Sequence, residues 1–253
     1  ALASVPEPED HSGMSMTMNR MMHQFRFFVD EGGAKLNGAA ISTLKTDGYH
    51  RTLLEQERRG NTRANLFGAH IGYAAHGFHI GLTAMYQSFN RQFALPTQAY
   101  KRYAPQGNDF FNASIDYAWH HHRLSIVGET AVDKKGSVAT LNTLRVKVVD
   151  RLHLTLLHRY YAHDFWALEG RSIAASSDVR NEQGIYLGAE WQPHRRLQLT
   201  AYADGYHFPY LRYRVSAPSY GTDGTISARY TVNDSHNLQL RYRFRLKQRD
   251  VSN

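Results

Sequence analysis

Asn237-Leu238-Gln239-Leu240-Arg241-Tyr242-Arg243-Phe244-Arg245-Leu246-Lys247-Gln248 is the stretch on which the fold turns. Leu238, Leu240, Tyr242, Phe244 and Leu246 share one parity, and Gln239, Arg241, Arg243, Arg245 and Lys247 share the other. Side chains alternate across a β-strand, so one face of this segment is apolar and the other cationic. A transmembrane β-strand of about 9 to 11 residues explains both faces, with the apolar one toward lipid and the polar one toward a wet lumen.

The same alternation recurs upstream. Phe78, Ile80, Leu82, Ala84 and Tyr86 oppose His79, Gly81, Thr83, Met85 and Gln87; Phe111, Ala113, Ile115, Tyr117 and Trp119 oppose Asn112, Ser114, Asp116 and His120. Leu197, Leu199, Ala201 and Ala203 oppose Gln198, Thr200, Tyr202 and Asp204. Weaker versions at 22–29, 62–75, 123–132, 138–149, 152–163, 184–192 and 224–232 bring the expectation to about eleven strands. Tight turns are expected at His76-Gly77, His121-His122, Asp150-Arg151, Pro193-His194-Arg195 and Asp234-Ser235. Between them lie longer connections at 30–61, 90–109, 164–183 and 207–223, with a shorter one at 133–137. Outer-membrane barrels alternate short periplasmic turns with long outer loops in this way, whereas a soluble sandwich has no reason to.

Composition fits. Mean hydropathy is −0.54 and no 18-residue apolar run occurs, which excludes a transmembrane helix but not a half-apolar barrel strand. The 16 Tyr and 12 Phe suit aromatic girdles at the membrane interfaces. With no Cys, thiolate catalysis, disulfides and cysteine zinc sites are excluded. A net charge of +8 points to a polyanion or to a solvated, partly balanced lumen. Residues 1–21 read as an irregular N-terminal segment without the pattern of an export signal, and 22–253 as the barrel segment. An odd strand count would leave two edges unpaired in lipid, so the chain is expected to be an interior slice of a larger barrel.

Several strings have a familiar look: Gly48-Tyr49-His50-Arg51-Thr52, Gly68-Ala69-His70-Ile71-Gly72-Tyr73, Gly107-Asn108-Asp109-Phe110 and Leu141-Asn142-Thr143-Leu144-Arg145. To these add Leu157-His158-Arg159-Tyr160-Tyr161 with Phe165-Trp166-Ala167, Asn181-Glu182-Gln183-Gly184, Phe208-Pro209, Pro218-Ser219-Tyr220-Gly221 and Gln248-Arg249-Asp250-Val251. Together they resemble the long β-barrel region of helix-hairpin-helix domain-containing, competence-protein-like outer-membrane proteins. The resemblance implies an outer-membrane barrel of a Gram-negative bacterium. In that family the DNA-binding association belongs to a helix-hairpin-helix region, and no part of this sequence matches one.

Inward parities supply the candidate site. Its basic members are Arg145, Lys147, Arg159, Arg241, Arg243, Arg245 and Lys247; its acidic members are Asp116, Glu129, Glu190 and Asp204, expected to pair with Arg145, Lys147 and Arg159. His120-His121-His122 falls at a turn, and His153 and His163 would stand about 33 Å apart along a strand with His158 facing the other way, so no metal site is expected. No nucleophile-elbow motif marks a serine, Gly32-Gly33, Gly221 and Gly224 read as turn glycines, and Tyr210, Arg212, Tyr213 and Arg214 read as a rim segment. The resulting expectation is an all-β, up-and-down transmembrane barrel segment without catalysis or cofactor. It would act as a passage or docking scaffold for anionic or bulky ligands, with outer-membrane lipid and lipopolysaccharide around it. DNA is a candidate ligand, and partner envelope proteins are not identified. The alternatives are a DNA-uptake component and a barrel hydrolase with an inward serine beside His158 or His163.

Overall fold

Alternating β-branched, aromatic and polar residues cannot form an amphipathic helix, and the chain folds as sheet almost throughout. The computed structural model describes residues 22–37, 40–45, 51–58, 60–233 and 235–250. Residues 1–21 and Asp234, expected from the sequence to lie in a tight turn, are outside the described residues. The strands are β1 (Met22–Asn37), β2 (Ala40–Lys45), β3 (Thr62–Ala75), β4 (Phe78–Phe93), β5 (Gly107–His121), β6 (Leu124–Asp133), β7 (Val138–Val149), β8 (Leu152–Tyr161), β9 (Glu182–His194), β10 (Leu197–Phe208), β11 (Ser219–Asn233) and β12 (His236–Lys247). A short helix α1 (Leu53–Glu57) and one 3₁₀ turn (Ala99–Lys101) sit in the connections.

From β3 to β12 each strand pairs antiparallel with its chain neighbour, giving one meander. β1 pairs with β3 from Met22 to Gly32, then runs past it to form a hairpin with β2. A single parallel pair, Ile41↔Phe93, ties β2 to β4.

Three expectations need correction. The described sheet is not closed into a barrel: β12 pairs with β11 alone, and nothing joins it to β1. All eleven strands read from the sequence are present, but the segment 30–61 read as a loop holds a further short strand, β2, and the loop-side end of β1. Gly32, Gly33, Gly221 and Gly224 are not turn glycines but extended, paired strand residues. At 221 and 224 the reason is steric, since the ring of Tyr206 lies over Gly221 and that of Phe244 over Gly224, in the space a Cβ would fill.

Turns fall at His76-Gly77 and Asp150-Arg151 as read, but one residue later than expected at His122-Arg123 and, in the next long hairpin, at Arg195-Arg196. His76 (φ 48°) and Gly77 (φ 77°) both adopt the left-handed conformation, which matches a two-residue hairpin to the right-handed twist of its strands. A Cβ on Gly77 would stand 2.6 Å from the carbonyl oxygen of His120.

The two faces of the sheet differ sharply. One exposes Ile71, Leu82, Ile115, Leu154, Leu156, Ile185, Leu187 and Ile226 across successive strands. Aromatic rings gather toward both ends of this face. Phe67, Tyr86, Phe111, Tyr160 and Tyr220 stand toward the long connections, and Tyr73, Phe78, Trp119, Trp191 and Tyr230 toward the tight turns. Phe78 and Tyr86, like Phe111 and Trp119, lie about 26 Å apart along their strands. The few polar groups here satisfy one another: Thr130 and Thr140 share a hydrogen bond of 2.8 Å, and the Tyr117 hydroxyl donates to Asn142 across Gly128.

Buried side chains concentrate on the other face at the long-connection end. Ile41, Ala64 and Phe89 pack with Phe93, Phe110 and Leu168, and Ala139, Tyr161 and Phe165 form a second cluster. Connections 94–106, 162–181 and 209–218 fold over this end. The Trp166 backbone amide donates to Asp133 (3.2 Å), the Asn112 side chain to the Trp166 carbonyl (2.8 Å), and the Trp166 indole to the Tyr103 carbonyl. The Tyr210 hydroxyl reaches the Ala99 carbonyl at 3.1 Å. β10–β11 is thereby tied to β4–β5, and the polar face is curled into a concavity bridged by loops.

Candidate functional site

Register fixes which side chains share a face. Asp116 opposes Glu129, Glu129 opposes Leu141 and Leu141 opposes Arg159, so these residues lie together on the concave face. Lys147 opposes His153, His153 opposes Glu190, Glu190 opposes Thr200, Thr200 opposes Ser227 and Ser227 opposes Arg241. The next rows add Arg145 with Thr155, Asp204 with Asp223 and Arg245, Arg243 with Thr225, and Lys247 with Gly221. Every candidate read from the sequence therefore stands on this one face. The parity was legible; the pairing was legible only in part.

At the centre stands Arg159, fully buried. Its Nε donates to Glu182 Oε1 at 2.6 Å, while Nη1 and Nη2 donate to the two carboxylate oxygens of Asp204 at 2.7 and 3.0 Å. This is the two-pronged geometry that makes guanidinium–carboxylate pairs strong and directional. Gly184 makes it possible, because Arg159 must cross β9 to reach β10. A Cβ at 184 would stand 2.5 Å from the guanidinium carbon. Glu182, also fully buried, accepts in addition from the amides of Ala175 and Ser176 and from the Ser176 hydroxyl. One carboxylate thus holds the central cation and anchors the inward-folded connection 162–181.

A direct consequence concerns Gly184→Ala. The added methyl forces the guanidinium off β9, a local overpacking expected to cost about 1–3 kcal/mol. Urea unfolding of the refolded variant in detergent micelles measures it, and a change within error of zero would show that Arg159 has another route to Asp204.

Elsewhere on the face the ion pairs are looser and wetter. Arg145 meets Glu190 at 3.4 Å, as expected. Lys147 was expected to meet an inward acid but pairs with Asp150 in the adjacent turn, at 3.1 Å. The reason is proximity, since they stand three positions apart at the strand end, and this hydrogen bond holds the pKa of the Asp150 carboxyl below its ordinary value. Arg245 donates to both oxygens of Asp223 at 2.9 and 2.8 Å, with Arg243 at 4.0 Å from the same carboxylate. Asp116 is bonded to His79 at 2.7 Å, and Glu129 faces it across the strand pair.

Two residues of this constellation, Glu182 and Asp223, escaped the sequence reading because both fell in segments taken as loops. Each continues the inward parity of its strand, Glu182 with Gly184 and Glu190, Asp223 with Thr225 and Ser227. With them included, cations and carboxylates on the face nearly balance, but they are not mixed. Acids without arginine partners cluster on β5–β6, and the cationic row stands on β12.

His158 lies on the apolar face between Asn142 and Ile185, and His163 packs against the rings of Tyr103 (4.3 Å) and Tyr210 (5.9 Å). Among the described residues neither has a serine hydroxyl against it, and no group of three His, Asp or Glu side chains is placed to hold a metal ion. No protein-family model matches the chain, and no curated protein does so.

Proposed function

We propose that this chain forms part of the wall of an outer-membrane β-barrel, without catalysis of its own, acting as a passage or docking scaffold for anionic or bulky ligands. The observation that carries this reading is the two-faced sheet. Soluble monomers rarely expose apolar patches larger than a few hundred Å², and here the apolar face extends from β3 to β12. Aromatic rings toward both of its ends match the girdles that flank the lipid-facing band of such barrels. The tight turns then face the periplasm and the long connections the outside. In lipid an unpaired sheet edge is not viable, so β1 and β12 each require a strand partner, as in a larger barrel. The resemblance to the barrel region of helix-hairpin-helix outer-membrane proteins agrees with this architecture.

Separation of charge across the concavity suggests what the wetted face does. A permeating molecule would pass between the acids of β5–β6 and the arginines of β12, and fixed charges in a polar channel set its selectivity. Planar-bilayer reversal potentials in a salt gradient test this. The wild type is expected to prefer anions, and the triple variant Arg241→Gln, Arg243→Gln, Arg245→Gln to shift toward cations. An unchanged reversal potential in the variant would remove the row from any role in the field. Absence of conductance would favour docking over passage.

A further inference from the structure

We propose that Arg212, Lys247 and Ser219 form a binding site for the phosphate group of a solute, at the loop end of the concave face. Phe208, fully buried, carries two cations on its ring: the Arg212 guanidinium carbon lies 3.7 Å from the centroid and Lys247 Nζ 5.2 Å. Lys247 also lies 5.9 Å from the Tyr206 ring, which reaches it by lying across Gly221. Arg212 Nη2 donates to the hydroxyl of buried Ser219 at 3.1 Å, while its buried Nε has no acceptor.

The charge pattern is what sets this cluster apart. Arg159, Arg145 and Arg245 each meet a carboxylate, but among the described residues neither Arg212 nor Lys247 is ion-paired. Glu182, whose charge is felt by both, is already committed to Arg159 and to the Ala175 and Ser176 amides. Arg249 adds a further positive charge felt by both. Two unpaired cations held on one ring repel each other unless an anion joins them. A guanidinium fork, an ammonium point charge and a hydroxyl suit a tetrahedral oxyanion, which offers acceptors in several directions, better than a planar carboxylate. The source is a solute rather than a lipid headgroup because Phe208, Ser219 and Lys247 face away from Tyr220 and Leu246 of the apolar face. This last step rests on the proposed reading that the concave face is the wetted one.

The test uses the full chain folded in a phosphorus-free detergent, titrated with inorganic phosphate in a calorimeter. The wild type is expected to bind phosphate, Arg212→Gln and Lys247→Gln each to weaken binding about tenfold or more, and Lys135→Gln, an exposed lysine at a distant turn, to leave it unchanged. Arg212→Lys, which keeps the charge but not the fork, should fall between, and heat-modifiable gel mobility confirms that each variant is folded. No binding by the wild type, or equal binding by the folded Arg212→Gln and Lys247→Gln variants, overturns the site. A short-chain phosphatidic acid bound in preference to free phosphate overturns the solute source. Phosphate binding by a protein that conducts nothing in bilayers keeps the site and removes the passage, so the two readings fail separately.

Discussion

Replacing Glu182 with alanine is expected to lower the unfolding free energy by about 3–5 kcal/mol, among the largest effects of any single substitution in this sheet. The pair it forms with Arg159 is fully buried on both sides. Removing the carboxylate leaves the guanidinium with Asp204 alone and strips the Ala175 and Ser176 amides of their acceptor. An uncompensated buried charge is far more costly than the loss of an average hydrogen bond. The double variant Arg159→Met, Glu182→Leu should recover part of the loss, because Asp204 retains some access to water. Urea titration followed by tryptophan emission in micelles gives both values. A loss under about 1 kcal/mol for Glu182→Ala would mean that Asp204 alone satisfies the guanidinium.

The second large effect distinguishes the faces by placing the same residue on each. Leu187→Arg puts a charge on the apolar face of β9, near mid-strand, where leucine is 57% exposed. In a barrel wall that position meets hydrocarbon, and the expected cost is about 2–4 kcal/mol. Thr200→Arg puts the same side chain on the concave face beside Glu190, and folding should tolerate it. Refolding yield into vesicles, read by heat-modifiable mobility, compares the two. Equal impairment would count against lipid on the apolar face.

What the sequence disclosed, and what it hid, follows from the range over which each interaction acts. Strands β3 and β7 were legible to their ends because alternation is a local property; both ends of β7 and the C-terminal end of β3 also coincide with short turns. The loop-side extensions of β1, β9 and β11 were not: Gly221 and Gly224 resemble turn residues until the neighbouring strand's ring is placed over them, and Gly32 and Gly33 until their strand partners are known. Parity sufficed to put Arg145, Lys147, Arg159 and the β12 row on one face. It could not reveal that Arg159 crosses a glycine to reach β10, because that depends on register between strands that are 45 residues apart in sequence. Nor could it show the sheet left open, which depends on pairing at its edges rather than on any pattern within a strand.

The meander also carries a kinetic consequence. From β3 onward every strand finds its partner next to it along the chain, so assembly proceeds as successive hairpins, each closing a loop whose entropic cost rises only slowly with length. The contact that bridges the concavity is of another kind: the hydrogen bond from Tyr210 to Ala99 spans 111 residues. Such a closure gains nothing until the intervening strands have zipped together. The loop bridge is therefore the last element to form and the first to open, and deuterium uptake at the 94–106 and 209–218 amides will precede that of the strands beneath them.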